Sequence, residues 1–196
     1  SDLADKLEKG QIYVEGNPVR IKSPAEGIQA GIGMIPEDRK RHGCLLTRSI
    51  RVNTTLSCIR QISKFGFVNA GKEKKITDDY IQYLKTKTPG MEQMVGNLSG
   101  GNQQKVVIAK TLASDCKIII FDEPTRGIDV GAKQEIYKLI AKLAEEGKAI
   151  IMISSEMEEL IGMSDRILVL HEGQVSGELT KEDFSQARIL DLASGE

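Results

Sequence analysis

The segment NLSGGNQQKVVIAK, which runs from Asn97 to Lys110, contains residue types that suit phosphate binding. Ser99, Gly100 and Gly101 lead directly into an amphipathic stretch. A helix that begins there would direct backbone N–H groups and the positive end of its dipole at an anion. The glycines would also let the backbone approach a ligand closely. Because a glycine pair alone is more often a turn or a helix cap, this interpretation depends on other parts of the sequence.

Two adjacent carboxylates form a second candidate site, in the segment IIIFDEPT (118–125). Asp122 and Glu123 directly follow a continuously apolar run, and open α/β sheets bind ligands at the carboxyl ends of their strands. Asp122 could hold Mg2+, usually through water, and Glu123 could polarise a water that attacks a terminal phosphate. For the tripeptide Asp-Glu-Pro alone, a turn that starts a helix is an equally good interpretation.

The elements that would position these residues have an α/β pattern. Three apolar runs have the length of strands covered on both faces, namely 117–121, 148–154 and 165–171. Between the first two, apolar residues recur at helix spacing: Ile136, Tyr137, Ile140, Leu143 and Ala144. Gly147 would end this helix. Strand, helix and strand of these lengths predict a parallel sheet with right-handed crossover connections.

The N-terminal half has a different pattern. The stretch from Gly10 to Ile21 has two short β-favouring runs around Glu-Gly-Asn-Pro and predicts a hairpin. A short helix, a strand that ends near Ile35 and a charged loop over 37–41 follow. A helical subdomain is predicted next, with apolar residues at helix spacing: Ile76, Tyr80, Ile81 and Leu84. We divide the chain into four parts: an N-terminal hairpin and loop region (1–45), the helical subdomain (46–112), an α/β core (113–180) and a C-terminal tail (181–196).

The composition excludes several classes of protein. The 196 residues carry a net charge of -1, which gives no general attraction to nucleic acid or anionic lipid. Cys44, Cys58 and Cys116 are widely spaced without a CxxC pair, so neither a disulfide framework nor a zinc site is predicted, and a reducing cytosol fits best. The apolar runs are far shorter than the ~20 residues that cross a bilayer, and the charged N-terminus is not a secretory signal. If the protein works at a membrane, another chain must span it.

Three segments, in order along the chain, resemble the motifs of the ATP-binding cassette (ABC) family. LSGGNQQK (98–105) resembles the signature motif, IIIFDEPT the Walker B strand, and RGIDVGAK (126–133) the D-loop. PEDRKRHG (36–43) and ISSEMEELIGMSDRILVLHEG (153–173) are similar to the second cassette of tandem-cassette monosaccharide importers of the ribose and galactose type. The resemblance covers about residues 10–177. It implies an ABC-type nucleotide-binding fold, which is a truncated P-loop NTPase parallel sheet with an antiparallel β hairpin and a helical subdomain.

The resemblance also implies roles for individual residues. Cassettes of this family pair head to tail, so that each signature motif closes over the ATP held by the opposite P-loop. The residues implied at that ATP site are Ser99, Gly100, Gly101, Gln103 and, in the D-loop, Asp129. Asp122 would bind Mg2+, and Glu123 would be the catalytic residue that acts on the attacking water.

Two positions depart from the catalytic pattern of the family. Where catalytic cassettes have the Q-loop glutamine, which senses Mg2+ and the attacking water, this sequence has Glu37, which lacks the amide donor and adds charge. Where they have a switch histidine that contacts the γ-phosphate, it has Ser155, which has no imidazole. Both remain candidate nucleotide contacts. The residues themselves favour another role for Ser155, since with Glu158 it forms an S-x-x-E capping box ahead of an apolar helix face.

One segment approaches the nucleotide-gripping P-loop, which reads G-x-x-x-x-G-K followed by Ser or Thr. In GFVNAGKE (66–73), Glu73 replaces the hydroxyl residue and would repel phosphates. The segment also follows Glu37, whereas the order of motifs in a cassette requires the P-loop first. We predict a surface turn with a solvated Lys-Glu run over 72–75. In tandem sugar cassettes the P-loop (Walker A) would lie just upstream of residue 1, so this chain is expected to lack it.

The sequence therefore predicts the C-terminal cassette of a cytoplasmic ATPase that energises monosaccharide import at the inner face of the cell membrane. The expected ligands are ATP and Mg2+. The expected partners are a first cassette, transmembrane permease subunits and, indirectly, a sugar-binding protein, with no nucleic acid. The isolated chain is expected to be inactive, and the sugar is not identified. Two alternatives remain: a non-hydrolysing module that completes a partner's ATP site, and the head of a DNA-repair or chromosome-maintenance ATPase, which the lack of a sustained heptad run disfavours.

Overall fold

The computed structural model describes residues 10–195. Its strands are β1 (Ile12–Val14), β2 (Asn17–Val19), β3 (Ile32–Ile35), β4 (Ser63–Lys64), β5 (Phe67–Val68), β6 (Ile118–Asp122), β7 (Ala149–Ile153), β8 (Arg166–His171) and β9 (Gln174–Thr180). Its helices are α1 (Pro24–Gln29), α2 (Ile50–Thr55), α3 (Ala70–Tyr83), α4 (Gly100–Leu112), α5 (Val130–Glu145), α6 (Met157–Met163) and α7 (Gln186–Ser194). Turns of 3-10 helix lie at Leu56–Cys58, Val95–Asn97 and Lys181–Asp183, and a turn of π-helix lies at Arg39–Gly43.

The centre of the fold is a parallel sheet in which β6 lies between β3 and β7. Ile35 is in register with Phe121, and Asp122 is in register with Ile153. Phe121 is fully buried, as the apolar run predicts. The helix α5 connects β6 to β7, which confirms the predicted parallel strand pair with a helical crossover. The carboxyl ends of the three strands lie at one edge of the sheet, which is where the candidate acids are found.

The helix α5 buries an apolar face that differs slightly from the predicted one. Its buried residues are Ile136, Leu139, Ile140 and Leu143. Tyr137 is half-buried and Ala144 is exposed. The helix ends before Gly147, which has φ +89° and adopts the left-handed conformation expected just after a helix C-terminus.

The helix α4 lies in the interior and joins the helical region to the sheet. It packs against β3, α2, α3 and α5. A single hydrophobic cluster contains Ile50 of α2, Val107 of α4, Phe121 of β6 and Ile136 of α5. The helices predicted within 46–112 are present, with the antiparallel hairpin β4–β5 between α2 and α3. The four-part division of the chain stays a prediction, and this cluster contains residues on both sides of its boundary at residue 112.

The prediction for residues 165–171 is wrong about their environment. β8 pairs antiparallel with β9 in a sheet separate from the parallel one. Ile167 and Val169 are buried, whereas Leu168 and Leu170 are 53% and 63% exposed. Successive strand residues point to opposite faces, and only one face of β8 packs in the cluster formed with α6 and α7. An unbroken apolar run therefore did not indicate burial on both faces, and β7 also has alternating exposure.

The N-terminal hairpin is confirmed, because β1 pairs antiparallel with β2 around Glu15 and Gly16, whose φ angles are +51° and +78°. The charged loop predicted over 37–41 is different in structure, since a π-helical turn begins at Arg39. Asp38 caps this turn by accepting hydrogen bonds from the backbone N–H groups of Lys40 and Arg41, each at 3.0 Å. The bond from Arg41 contributes most to lowering the pKa of the Asp38 carboxyl.

The segment 66–73 is not a P-loop. Gly66 lies in the turn of the β4–β5 hairpin with φ +83°, and Asn69 caps α3 by accepting a hydrogen bond from the Lys72 N–H at 3.0 Å. Glu73 is only 7% exposed and forms an ion pair with Arg51 of α2. The prediction of a solvated Lys-Glu run is therefore wrong for Glu73, because its carboxylate joins α3 to α2.

The C-terminal part has more structure than the word tail implies, since α7 packs against β8 and β9. Ile189 is the buried residue of α7 and belongs to the same cluster as Ile167. Within residues 10–195, no helix has both the length and the apolar character needed to cross a membrane.

Candidate functional site

The start of α4 differs from most other helix starts in this protein. At five of them the N-cap side chain accepts a backbone N–H of its own helix, and these residues are Ser23, Ser49, Asn69, Asp129 and Ser185. Ser99 is the N-cap of α4, yet its side chain makes no such bond; its Oγ accepts a hydrogen bond from Asn102 Nδ2 at 2.9 Å. The first backbone bond of the helix is from the Gln103 N–H to the Ser99 carbonyl, at 2.9 Å. The N–H groups of the first turn are therefore oriented to meet an anion.

Gly100 and Gly101 are required by contacts inside the chain as well as by any ligand. A Cβ on Gly100 would lie 2.8 Å from Arg39 Nη2, and a Cβ on Gly101 would lie 2.8 Å from the Cβ of Ala132 in α5. A side chain at Gly101 would push α4 and α5 apart, whereas a side chain at Gly100 would displace the Arg39 guanidinium. The two glycines thus let Arg39 and α5 approach the start of α4, a reason that the sequence did not indicate.

Ser99, Gly101 and Asp129 lie in one cleft of about 330 Å3 between the starts of α4 and α5. Asp129 caps α5 by accepting a hydrogen bond from the Ala132 N–H at 2.9 Å. The remaining lining residues are Lys87, Asn102, Lys105, Gly131, Ala132 and Glu135. The structure therefore brings the signature motif and the D-loop together in one cleft.

Lys105 and Glu135 join the helices that line this cleft. Lys105 of α4 is 5% exposed, and its ammonium donates to Glu135 Oε2 at 2.7 Å and to the Lys85 carbonyl at 3.1 Å. The hydrogen bond from Lys105 lowers the pKa of the Glu135 carboxyl. The sequence analysis did not identify this pair, although Lys105 belongs to the LSGGNQQK segment.

Gln103 was assigned to the nucleotide site, and the structure places it elsewhere. Its side chain is 6% exposed, and Nε2 donates to the carbonyls of Val95 and Leu98 at 3.3 and 3.1 Å. Gln103 therefore fixes the turn that precedes α4 and does not face the cleft. The helix period explains this difference, since a residue four positions after the N-cap lies on the same side as the core residues Val106 and Val107.

Asp122 and Glu123 lie at the carboxyl end of β6, as predicted. Glu123 is a non-glycine residue with φ +47°, a conformation that is uncommon and is concentrated at functional sites. Its N–H donates to the Ile153 carbonyl at 2.9 Å, and its Oε1 accepts a hydrogen bond from the Ser155 N–H at 2.8 Å. The carboxylate thus faces the loop that follows β7.

Ser155 does not form the predicted capping box. The helix α6 begins at Met157 with Glu156 as its N-cap. The neighbouring Ser154 accepts a hydrogen bond from the Glu156 N–H at 3.0 Å and donates to the buried carboxylate of Glu159. In the sequence, either of two adjacent serines could bond to one of three nearby glutamates. In the structure the buried Glu159 bonds to Ser154, and it also accepts a hydrogen bond from Thr125 at 3.1 Å. Ser155 itself is exposed and uses its backbone N–H.

Glu37 forms an ion pair with Arg126, the residue that opens the D-loop segment. Arg39, two residues later, donates to the carbonyls of Arg126 and Gly127 at 2.8 and 3.0 Å. The loop after β3 is therefore attached to the loop after β6. The sequence analysis identified Glu37 but neither arginine, because each contact joins residues that are more than 80 positions apart.

Lys133 makes a further connection, from α5 to the start of α6. Its ammonium donates to both carboxylate oxygens of Glu156 at 2.6 and 2.8 Å. This hydrogen bond raises the pKa of Lys133. The loop around Ser155 is thus held by Glu123 at Ile153 and Ser155, and by Lys133 of α5 at Glu156.

The donors and acceptors of the site suit a nucleoside triphosphate. The free first-turn N–H groups of α4 and the Ser99 hydroxyl match phosphate oxygens. For Mg2+, Asp122 offers the oxygen ligand that this ion prefers. The described residues contain no group of three or more potential metal-ligating side chains, so an ion at Asp122 would take its other ligands from water and phosphate, as Mg2+ commonly does.

A parallel sheet with acids at the carboxyl end of its central strand, next to a glycine-led helix start, defines a nucleotide-binding α/β domain. The chain belongs to the ABC transporter family, whose family model matches residues 3–126. The resemblance found in the sequence is therefore confirmed at the level of the family.

Curated relatives match almost the whole chain. A putative ribose/galactose/methyl galactoside import ATP-binding protein of Rhizobium meliloti is 50% identical over 190 residues, which cover 97% of this chain and 38% of that relative. The xylose import ATP-binding protein XylG of Thermoanaerobacter pseudethanolicus is 50% identical over 188 residues, which cover 96% of this chain and 37% of that relative. The chain thus spans less than half the length of these curated relatives.

Solved structures agree with the fold. A nucleotide-free ATP-binding cassette from an ABC transporter has a TM-score of 0.78 at 21% identity, covering 96% of this chain and 78% of that chain. A dimeric ATP-binding cassette in a post-hydrolysis state, bound to ADP and Pi, has a TM-score of 0.72 at 21% identity, covering 90% of this chain and 75% of that chain. The predicted α/β fold of the ABC type is confirmed.

Proposed function

We propose that this chain is part of a longer ATP-binding protein that powers monosaccharide import, and that it corresponds to the second cassette of that protein. Its similarity to relatives whose names contain ribose, galactose, methyl galactoside or xylose supports a monosaccharide as the transported molecule. The expected partners are a first cassette, transmembrane permease subunits and, indirectly, a sugar-binding protein. The place of action is the cytoplasmic face of the membrane.

The observation that supports this proposal most strongly is the uncapped start of α4. Ser99 leaves the first-turn N–H groups free, whereas Ser49 and Ser185 bond to theirs. Gly101 and Asp129 share the cleft at this helix start. A site with free donors and no bulky side chain suits the terminal phosphate of ATP.

The nucleotide at this surface is proposed to be held by another cassette. The 196-residue sequence contains no G-x-x-x-x-G-K segment followed by Ser or Thr, and the segment that approaches it has its Glu73 buried against Arg51. We therefore propose that this chain covers ATP bound to the first cassette, and that the isolated chain does not hydrolyse ATP. At its own acids, Asp122 would contribute to holding Mg2+, which would supply charge neutralisation at the phosphates.

The experiment compares two serines at helix starts. In the full-length protein that carries this chain, Ser99→Arg places a bulky cation where the phosphate would lie, and Ser185→Arg makes the same change at the start of α7. We expect Ser99→Arg to lower sugar-stimulated ATP turnover at least tenfold and Ser185→Arg to lower it less than twofold. Equal turnover in the two variants would reject the proposed role of α4.

A second candidate function is a module that completes its partner's ATP site but does not hydrolyse ATP at its own acids. It is supported by the ion pair of Glu37 with Arg126, and by Ser155, which has no imidazole and whose backbone N–H already donates to Glu123. The variant Glu123→Gln in the full-length protein separates the two functions. Complete loss of turnover supports catalysis at Glu123, whereas retained turnover supports the module.

A further inference from the structure

We propose that Arg39 is a positioning residue that fixes the start of α4 relative to the D-loop, so that the two parts of the ATP-facing surface move as one unit. This inference depends on the proposed function for its effect on turnover. The structural link itself does not depend on it.

The guanidinium of Arg39 bonds to two consecutive carbonyls. Nη1 donates to the Arg126 carbonyl at 2.8 Å, and Nη2 donates to the Gly127 carbonyl at 3.0 Å. A planar guanidinium can satisfy two adjacent acceptors in a fixed geometry, which a lysine ammonium cannot reproduce. Gly127 has φ +66°, so the backbone there is in the left-handed conformation that turns its carbonyl toward Arg39.

The Nη2 group that bonds to Gly127 also lies against the start of α4. A Cβ on Gly100 would lie only 2.8 Å from Arg39 Nη2, and would also lie 3.3 Å from the Gly127 carbonyl oxygen. The helix start, the arginine and the D-loop backbone therefore meet at Gly100. Ser99 precedes this contact by one residue, and Asp129 follows Gly127 by two.

The turn that carries Arg39 packs against α4 as well. The Cys44 N–H closes the π-helical turn by donating to the Arg39 carbonyl at 2.9 Å, and Cys44 Sγ contacts the same oxygen at 3.3 Å. Within this turn, Gly43 accepts a hydrogen bond from the Lys110 ammonium, and a Cβ on Gly43 would lie 3.0 Å from Val107. The turn that carries Arg39 is thus attached to the C-terminal half of α4, and the Arg39 side chain is attached to the D-loop.

The ion pair of Glu37 with Arg126 spans the same two loops but is a weaker constraint. Its side chains are 43% and 66% exposed, so solvent screens the pair. Arg39 is half-buried, and its two hydrogen bonds go to neutral carbonyls, so salt weakens them less than it weakens an exposed ion pair. We therefore assign the main positioning role to Arg39.

The test uses the full-length protein with three variants. Arg39→Ala removes both hydrogen bonds to the carbonyls, and Arg39→Lys keeps the charge but loses the paired donors of the guanidinium. The control, Arg41→Ala, changes an arginine of the same turn whose side chain is 82% exposed. We expect turnover at saturating ATP to fall at least tenfold in Arg39→Ala and to an intermediate level in Arg39→Lys. Arg41→Ala should change it less than twofold. A small displacement of catalytic groups is enough for such a loss.

A second measurement separates positioning from stability and from the proposed function. Amide hydrogen exchange without nucleotide should become at least tenfold faster at residues 100–103 and 127–131 in Arg39→Ala, with the core strand β6 unchanged. If Arg39→Ala does not fold, Arg39→Lys provides the same comparison. Exchange equal to that of Arg41→Ala would overturn the inference, and so would uniformly faster exchange throughout the protein. Faster local exchange with unchanged turnover would support the link and reject the proposed function of this surface.

Discussion

The backbone N–H of Ser155 donates a hydrogen bond to the Glu123 carboxylate at 2.8 Å. The loop that follows β7 is therefore joined to the acid that follows β6. Because the donor is the backbone, the identity of the Ser155 side chain does not affect this bond. The side chain that does stabilise the loop is that of the preceding serine.

The two adjacent serines should differ in their effect on stability. Ser154→Ala removes hydrogen bonds to the Glu156 N–H and to the buried Glu159 carboxylate, and we expect the free energy of unfolding to fall by about 1–3 kcal/mol. Ser155→Ala should change it by less than about 0.5 kcal/mol, because its side chain is exposed. Urea unfolding of both variants measures the difference. A larger loss of unfolding free energy for Ser155→Ala than for Ser154→Ala would contradict the observed hydrogen bonds at the start of α6.

The uncapped start of α4 predicts an unusual stability result. Alanine at an N-cap serine usually lowers the free energy of unfolding by about 1 kcal/mol. We expect that loss for Ser49→Ala, since Ser49 Oγ accepts the Val52 N–H at 3.3 Å, and less than about 0.5 kcal/mol for Ser99→Ala. Thermal and urea unfolding check both values. Equal losses would show that Ser99 caps its helix in solution, which would remove the free donors from the proposed phosphate site.

The segment 66–73 allows a test of whether a completed P-loop sequence pattern would bind ATP in this structural context. Glu73→Ser completes the P-loop pattern, but it also removes the buried partner of Arg51. We expect no new ATP binding, and a loss of about 2–3 kcal/mol in the free energy of unfolding. Glu92→Ser removes the more exposed partner of the same arginine and should have a smaller effect. Tight ATP binding by the Glu73→Ser variant, measured by calorimetry, would disprove the structural assignment of this segment.

The Lys105–Glu135 pair predicts a specific pH dependence. The hydrogen bond from Lys105 lowers the pKa of Glu135 in the folded protein below its ordinary value of 4.5. A carboxyl whose folded pKa is lowered contributes stability above the unfolded pKa and loses it as the pH falls through the folded pKa. The difference in unfolding free energy between the natural protein and Glu135→Gln should therefore be constant at neutral pH and shrink below about pH 4.5.

The control for this pH series is Glu145→Gln, a change at an exposed glutamate of the same helix. It should give a small difference from the natural protein with little change below neutral pH. A difference for Glu135→Gln that persists unchanged well below pH 4, or one that grows in acid, would contradict the assigned pair.

Local sequence patterns predicted the elements whose partners are close along the chain. The parallel pair β6–β7 follows from two apolar runs joined by an amphipathic helix, and the hairpin β1–β2 follows from a turn sequence. The antiparallel partner of β8 was not predicted, because the alternation of buried and exposed residues over 167–170 has no signal in four consecutive apolar residues. The burial of Glu73 was missed for a related reason, since it depends on Arg51 in another helix.

In the candidate site, too, the sequence located residues that belong to local motifs but not residues whose contacts are distant along the chain. The motifs located Ser99, Asp122, Glu123 and Asp129 at the ends of the predicted elements, where the structure has them. Arg39 could not be found from spacing, because its acceptors are backbone carbonyls that have no sequence signal. Gln103 was assigned to the ligand from its motif, although the helix period places it in the core.

The central claim is that α4 contacts a triphosphate held by another cassette. The most direct measurement is a structure of the full-length protein in the presence of Mg2+ and a non-hydrolysable ATP analogue. We predict a γ-phosphate within hydrogen-bonding distance of Ser99 Oγ and of the first-turn N–H groups of α4, with the P-loop lysine supplied by a different cassette. A nucleotide bound entirely by this chain, with Ser99 exposed to solvent, would contradict the claim.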